Sequence, residues 1–164
     1  MSATLPILMA VKDHLKAHLT DWEIELMPDK LDDYFLAHPN GAVLISYVAS
    51  KFGGLRAADI VSQTRTVNIV LTVITRNLHN DYGALDLLDR LRLLIVGFKP
   101  PDCSECYLIE EHFEGEDTGT WQYQLVLQTE TVQLQNVKCK NLPKLVEVIT
   151  RRKGQPLDPK LTKK

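Results

Sequence analysis

From Thr66 to Arg76 the chain alternates, with Val67, Ile69, Leu71 and Val73 on one side and Thr66, Asn68, Val70 and Thr72 on the other. A two-residue period means a strand, and a strand with one wholly apolar face needs a second layer of structure over it. Ala42 to Ala49, with Val43, Leu44, Ile45 and Val48, reads as a buried strand. Trp22 to Met27 alternates apolar with acidic residues until Pro28 and reads as a short strand. Tyr107 to Phe113 and Trp121 to Val132 read as a hairpin turned at Asp117, Thr118 and Gly119.

Two segments carry the helical period instead. Thr4 to Leu19 places Leu8, Val11, Leu15 and Leu19 three and four residues apart, with Lys12, Asp13 and Lys16 between them. Gly83 to Val96 sets Leu85, Leu88, Leu91 and Ile95 against Asp86, Asp89, Arg90 and Arg92. Asn80 or Asp81 is positioned to cap its start, Gly97 to end it, and Pro100 and Pro101 forbid continuation. Leu31 to His38 reads as a helical turn before Pro39, Asn40 and Gly41. The order α, β, β, β, α, β, β predicts an α+β fold. It has one mixed or mainly antiparallel sheet of about five strands, with both helices packed on one face. The second sheet face, with Gln122, Gln124, Gln128 and Glu130, meets water or another subunit. Lys51 to Ser62, containing Gly53 and Gly54, is expected to be a loop, mobile in the free subunit and ordered on assembly.

A chain of 164 residues suffices for one domain with its own core. No window approaches the ~18 consecutive apolar residues of a membrane span, and Met1 to Ala10 lacks the form of a secretory signal. The expected location is the cytoplasm of the cell that makes it, where Cys103, Cys106 and Cys139 would stay reduced. The net charge of −2 hides a division after Val137. Residues 1–137 hold 10 Lys and Arg against 19 Asp and Glu, whereas residues 138–164 hold 9 against 2. The expected organisation is therefore a domain over 1–137 and a basic, solvated and disordered tail over 138–164. An acidic body is poorly suited to broad nucleic-acid binding, and nucleic acid is not an expected partner.

No grouping of residues carries a reaction. Cys103-Ser104-Glu105-Cys106 has metal or redox spacing, but too few ligands accompany it, and the pair reads as surface thiols. His14 and His18 lie one helical turn apart without an adjacent Glu and read as exposed polar residues. Among the acids of the hairpin, Glu110, Glu114 and Glu116 read as one solvated face shared with His112, with Glu111 on the other side. Glycine-rich phosphate loops and the Gly-x-Ser-x-Gly elbow are absent. The expectation is a protein that is not an enzyme, with no catalytic residue, no metal, no cofactor and no small-molecule substrate.

The segment Arg76-Asn77-Leu78-His79-Asn80-Asp81-Tyr82-Gly83-Ala84-Leu85-Asp86-Leu87-Leu88-Asp89-Arg90-Leu91-Arg92, followed by Gly97-Phe98-Lys99-Pro100-Pro101, resembles the tail-terminator family of Mu-like phages and prophages. Ala42 to Ser50, Lys51-Phe52-Gly53-Gly54, the strand to Arg76 and the hairpin through Trp121 resemble the rest of that family's domain. The likeness spans roughly residues 4–134 and leaves the basic tail unexplained. It implies a small protein that forms a ring, usually a hexamer, on the end of a phage tail, stopping tube polymerisation and offering a head-joining surface. The implied partners are further copies of itself, the tail-tube protein and head-completion proteins, and the implied location is the host cytoplasm and then the virion tail.

Phe52, Leu55 and Arg56 are residue types typical of interfaces. Together with Arg65, Arg76 and His79 they form the candidate subunit or partner interface. An alternative reading is an adaptor module of a prophage or secretion system that binds protein or nucleic acid through the basic tail.

Overall fold

The computed structural model of the chain describes residues 3–30, 34–56 and 60–136. The expected disordered tail over 138–164, and Cys139 within it, lie outside the described residues. Two helices and five strands follow in the order α1 (Leu5–His18), β1 (Glu23–Leu26), β2 (Gly41–Leu55), β3 (Ser62–Thr75), α2 (Ala84–Ile95), β4 (Tyr107–Asp117) and β5 (Thr120–Leu134). The strands form one sheet in the order β1-β2-β3-β5-β4. β1 runs parallel to β2, and every other pairing is antiparallel. The fold is thus α+β with a mixed five-stranded sheet, as the element order predicts.

Both helices lie on one face. Val67, Ile69, Leu71 and Val73 of β3 are buried there with Val43 and Ile45 of β2 and Leu125 and Leu127 of β5. Their registers match: Val43 faces Val73, Leu71 faces Leu125 and Ile69 faces Leu127. Residues paired directly across strands share a face, so these side chains make one continuous apolar floor. Ile7, Val11 and Leu15 of α1 and Leu87, Leu88, Leu91 and Ile95 of α2 cover it. Burying a side chain of this size is worth roughly 1.5–3 kcal/mol, so the floor and its helical cover account for most of the drive to fold. Lys12 and Lys16 of α1 also reach Glu25 of β1. The Lys12 hydrogen bond is the main reason the Glu25 carboxyl sits below its ordinary value.

Several local expectations are corrected. In α2, Leu87 takes the buried position and Leu85 is 44% exposed, because the helix is rotated to seat Ala84, Leu87 and Leu88 on the sheet. Its start carries no side-chain cap from Asn80 or Asp81. Instead the preceding loop folds back, and the carbonyls of Asn77 and Leu78 accept from the amides of Ala84 and Leu85. Gly97 does end the helix in the left-handed region, at φ 85°. Residues 34–38 contain no helical turn, while 31–33 of that expected element lie outside the described residues. The hairpin turn is as expected: Thr118 and Gly119 both have positive φ, and Asp117 pairs with Thr120.

The largest correction concerns Lys51 to Ser62. β2 does not stop near Ala49 but continues to Leu55, paired with the start of β3 through Lys51–Thr66, Phe52–Arg65 and Leu55–Gln63. A register shift between Phe52 and Leu55 takes up one residue across the two glycines. The ladder supplies the backbone partners that a loop of this composition would lack, and it overrides the freedom of Gly53 and Gly54. Residues 57–59 of the expected loop lie outside the described residues.

Candidate interaction surface

The lengthened β2 makes one end of the sheet outrun its helices. Arg65 marks the boundary, since its guanidinium donates to Thr4 Oγ1 at the start of α1 (2.7 Å) and to Ser50 Oγ (2.9 Å). Beyond it, Lys51–Leu55 of β2, Ser62–Thr64 of β3 and Val132–Leu134 of β5 form a three-stranded extension. Phe52 and Leu55 are 55% and 66% exposed and share the helix side with Arg65 and Gln63. Val132 and Leu134 are also exposed but pair with Thr64 and Ser62 on the opposite side. Ile60 and Val61 add to the apolar surface at the tip. Isolated exposed apolar residues need no explanation, whereas several gathered at one sheet end make that end a candidate contact surface.

The strand edges at this end are open as well. β1 pairs with β2 only from Ala42 to Ile45, which leaves the outer edge of β2 beyond Ile45 without a strand partner among the described residues. On the other side β4 begins at Tyr107, opposite Gln128, so β5 runs past it. Ser104 meets Glu130 there through its amide and hydroxyl, and no described strand pairs with the outer edge of Val132–Leu134. Open edges beside exposed apolar side chains are a template for another chain.

The six sequence-selected residues divide between two ends of the molecule. Phe52, Leu55, Arg56 and Arg65 lie at the extension, where the Arg56 amide donates to the Ser62 carbonyl (2.9 Å). Arg76 and His79 follow the far end of β3, where both are exposed and Arg76 donates to the Leu36 carbonyl (3.1 Å). Residue 76 lies eleven positions beyond 65 along an extended chain, a separation of roughly 35 Å. Val132 and Leu134 escaped the sequence reading because only the β3–β5 register places them beside Ser62 and Thr64.

The thiols of Cys103 and Cys106 are not on the surface. Cys103 and Cys106 are 6% and 2% exposed and belong to the core beneath the loop that follows α2. Backbone bonds from Cys103 N to the Pro100 carbonyl and from Cys106 N to the Phe98 carbonyl fold that loop inward. Burial pushes both thiols up, Cys106 to about 11, so neither is a ready thiolate nucleophile at neutral pH. We expect Cys106→Ser to cost about 1–3 kcal/mol in a denaturant titration, because it buries a hydroxyl in place of a thiol. A change within ~0.5 kcal/mol would return Cys106 to the surface class.

Other side chains depart from expectation in smaller ways. His14 is half-buried, stacked on Phe98 at 4.0 Å and donating from Nε2 to the Leu94 carbonyl (2.9 Å), so it joins the two helices, while His18 is exposed. A register shift between Phe113 and Gly115 places Glu116 opposite Trp121, off the face that His112 shares with Gln124. Glu111 does point to the helix side, where Arg92 binds it at 2.6 Å. A hollow of about 450 Å³ opens beside β1 between Trp22, Glu25, His38 and Pro39, away from the extension. Among the described residues no group of three His, Cys, Asp or Glu is placed to hold a metal ion, and no helix is long and apolar enough to cross a membrane.

A family model described as Gp37 protein matches residues 11–150, from within α1 to beyond β5 and past the charge division after Val137. No curated protein matches the chain.

Proposed function

The chain belongs to the Gp37 protein family, a phage-related family, and from that premise we propose a structural role of the tail-terminator kind. In this role copies of the chain close into a ring, hexameric by the resemblance of the α2 segment. The ring ends tail-tube polymerisation and offers a surface for head joining. The protein works by assembly and not by catalysis. Its partners are its own copies, the tube protein and head-completion proteins, met first in the host cytoplasm and then in the virion tail.

The observation that carries this reading is the uncovered sheet extension. Phe52, Leu55, Val132 and Leu134 project from a ribbon whose outer strand edges are open among the described residues. Such a surface is costly on a monomer and useful between subunits. Two different ends of the molecule carry the candidate contacts, which suits a heterologous interface, the kind that closes into rings.

Light scattering across a concentration series is the direct test. We expect a single species close to six times the 18.6 kDa subunit, with a ring outline in negative-stain electron microscopy. A chain that stays monomeric or dimeric at every concentration, and changes mass only on meeting another protein, would support the adaptor reading instead.

A further inference from the structure

Among the described residues Arg65 is the only buried charged side chain, 8% exposed. A buried guanidinium is retained at a cost unless an anion meets it, because water solvates the charge far better than a protein interior does. Arg65 has two hydroxyl partners, Thr4 and Ser50, and the Tyr47 ring 6.0 Å away, but no carboxylate among the described residues pairs with it. Arg65 lines a cleft of about 260 Å³, walled by Pro6 and Ile7 of α1, Pro101, Asp102 and Thr131.

We infer that this cleft receives a carboxylate side chain from the β4–β5 hairpin end of a neighbouring copy. The hairpin end carries exposed Glu114, Glu116 and Asp117. It sits at the opposite pole of the same sheet, because Trp121 pairs with Thr75 while Thr131 pairs with Arg65. Ten residues of strand, roughly 33 Å, separate the two poles, so those acids reach the cleft only from another molecule. A guanidinium binds a carboxylate through two parallel hydrogen bonds, which would set the angle between copies as well as hold them. The inference rests on the ring reading and names the contact that would join one subunit to the next.

Three proteins test it by light scattering over a dilution series: Arg65→Met, the hairpin variant E114Q/E116Q/D117N, and their combination. Met preserves the length and apolar stem of Arg65, so the dissociated subunit should melt no lower than the wild type. We expect each variant to raise the midpoint concentration for assembly at least tenfold. The combination should do little more than either alone, because both remove one contact. If Arg65→Met fails to fold, the hairpin variant decides by itself. Wild-type assembly at an unchanged midpoint in either folded variant, or fully additive losses, overturns this contact and leaves the ring reading standing. A wild-type chain that never assembles removes both.

Discussion

Gly83→Ala should lower stability by about 3 kcal/mol and the melting temperature by roughly 10 °C. Gly83 closes the loop that caps α2. A Cβ placed on it would stand 2.6 Å from the Leu78 carbonyl oxygen and 2.9 Å from that of Asn80. Both atoms are backbone, and the loop cannot yield without withdrawing the carbonyls of Asn77 and Leu78 from the amides of Ala84 and Leu85. The helix start would lose these backbone caps, and Leu87 and Leu88 behind it would lose their seating on the sheet. Gly54→Ala is the matched control, because a Cβ there meets nothing within 4 Å. Calorimetry on both variants checks the argument: equal and small shifts would show that the loop rearranges freely.

Phe52→Ser combined with Leu55→Ser should leave the subunit as stable as the wild type and raise the midpoint concentration for assembly at least 30-fold. Both side chains are more than half exposed, so the folded monomer loses little by their removal. At an interface, burying such anchors is worth about 2 kcal/mol or more, which is that 30-fold change. The pair separates two readings of the extension. If it is a contact surface, assembly falls while melting of the dissociated subunit is unchanged. If Phe52 and Leu55 only complete the ladder between β2 and β3, melting falls and the assembly midpoint does not move.

Much of the fold was legible because its elements have clean periods. The alternation of Val67, Ile69, Leu71 and Val73 and the spacing of Val11 and Leu15 each point to one face, and each of these side chains is buried. The hairpin turn was legible from Thr118-Gly119, since a two-residue connection selects residues that tolerate positive φ. Other features depend on partners distant in the chain. The segment Lys51-Phe52-Gly53-Gly54-Leu55 has the composition of a loop, and its strand character comes from the opposing residues Thr66, Arg65 and Gln63. The placement of Cys103 and Cys106 depends likewise on a loop folded against β5 through Ser104 and Glu130.

The candidate surface shows the same division. Local pattern alone determined the element order, the α+β class, the apolar floor of the sheet and the choice of Phe52, Leu55, Arg56 and Arg65 as candidate contact residues. Tertiary structure decided that these four share one end of the sheet, that Val132 and Leu134 join them, and that Arg76 and His79 lie at the other. It also decided that Arg65 is buried without a carboxylate partner among the described residues. The physical reason is range. Period and turn chemistry act over a few residues and are written in the local sequence, whereas burial, register and charge pairing depend on which distant strand arrives alongside.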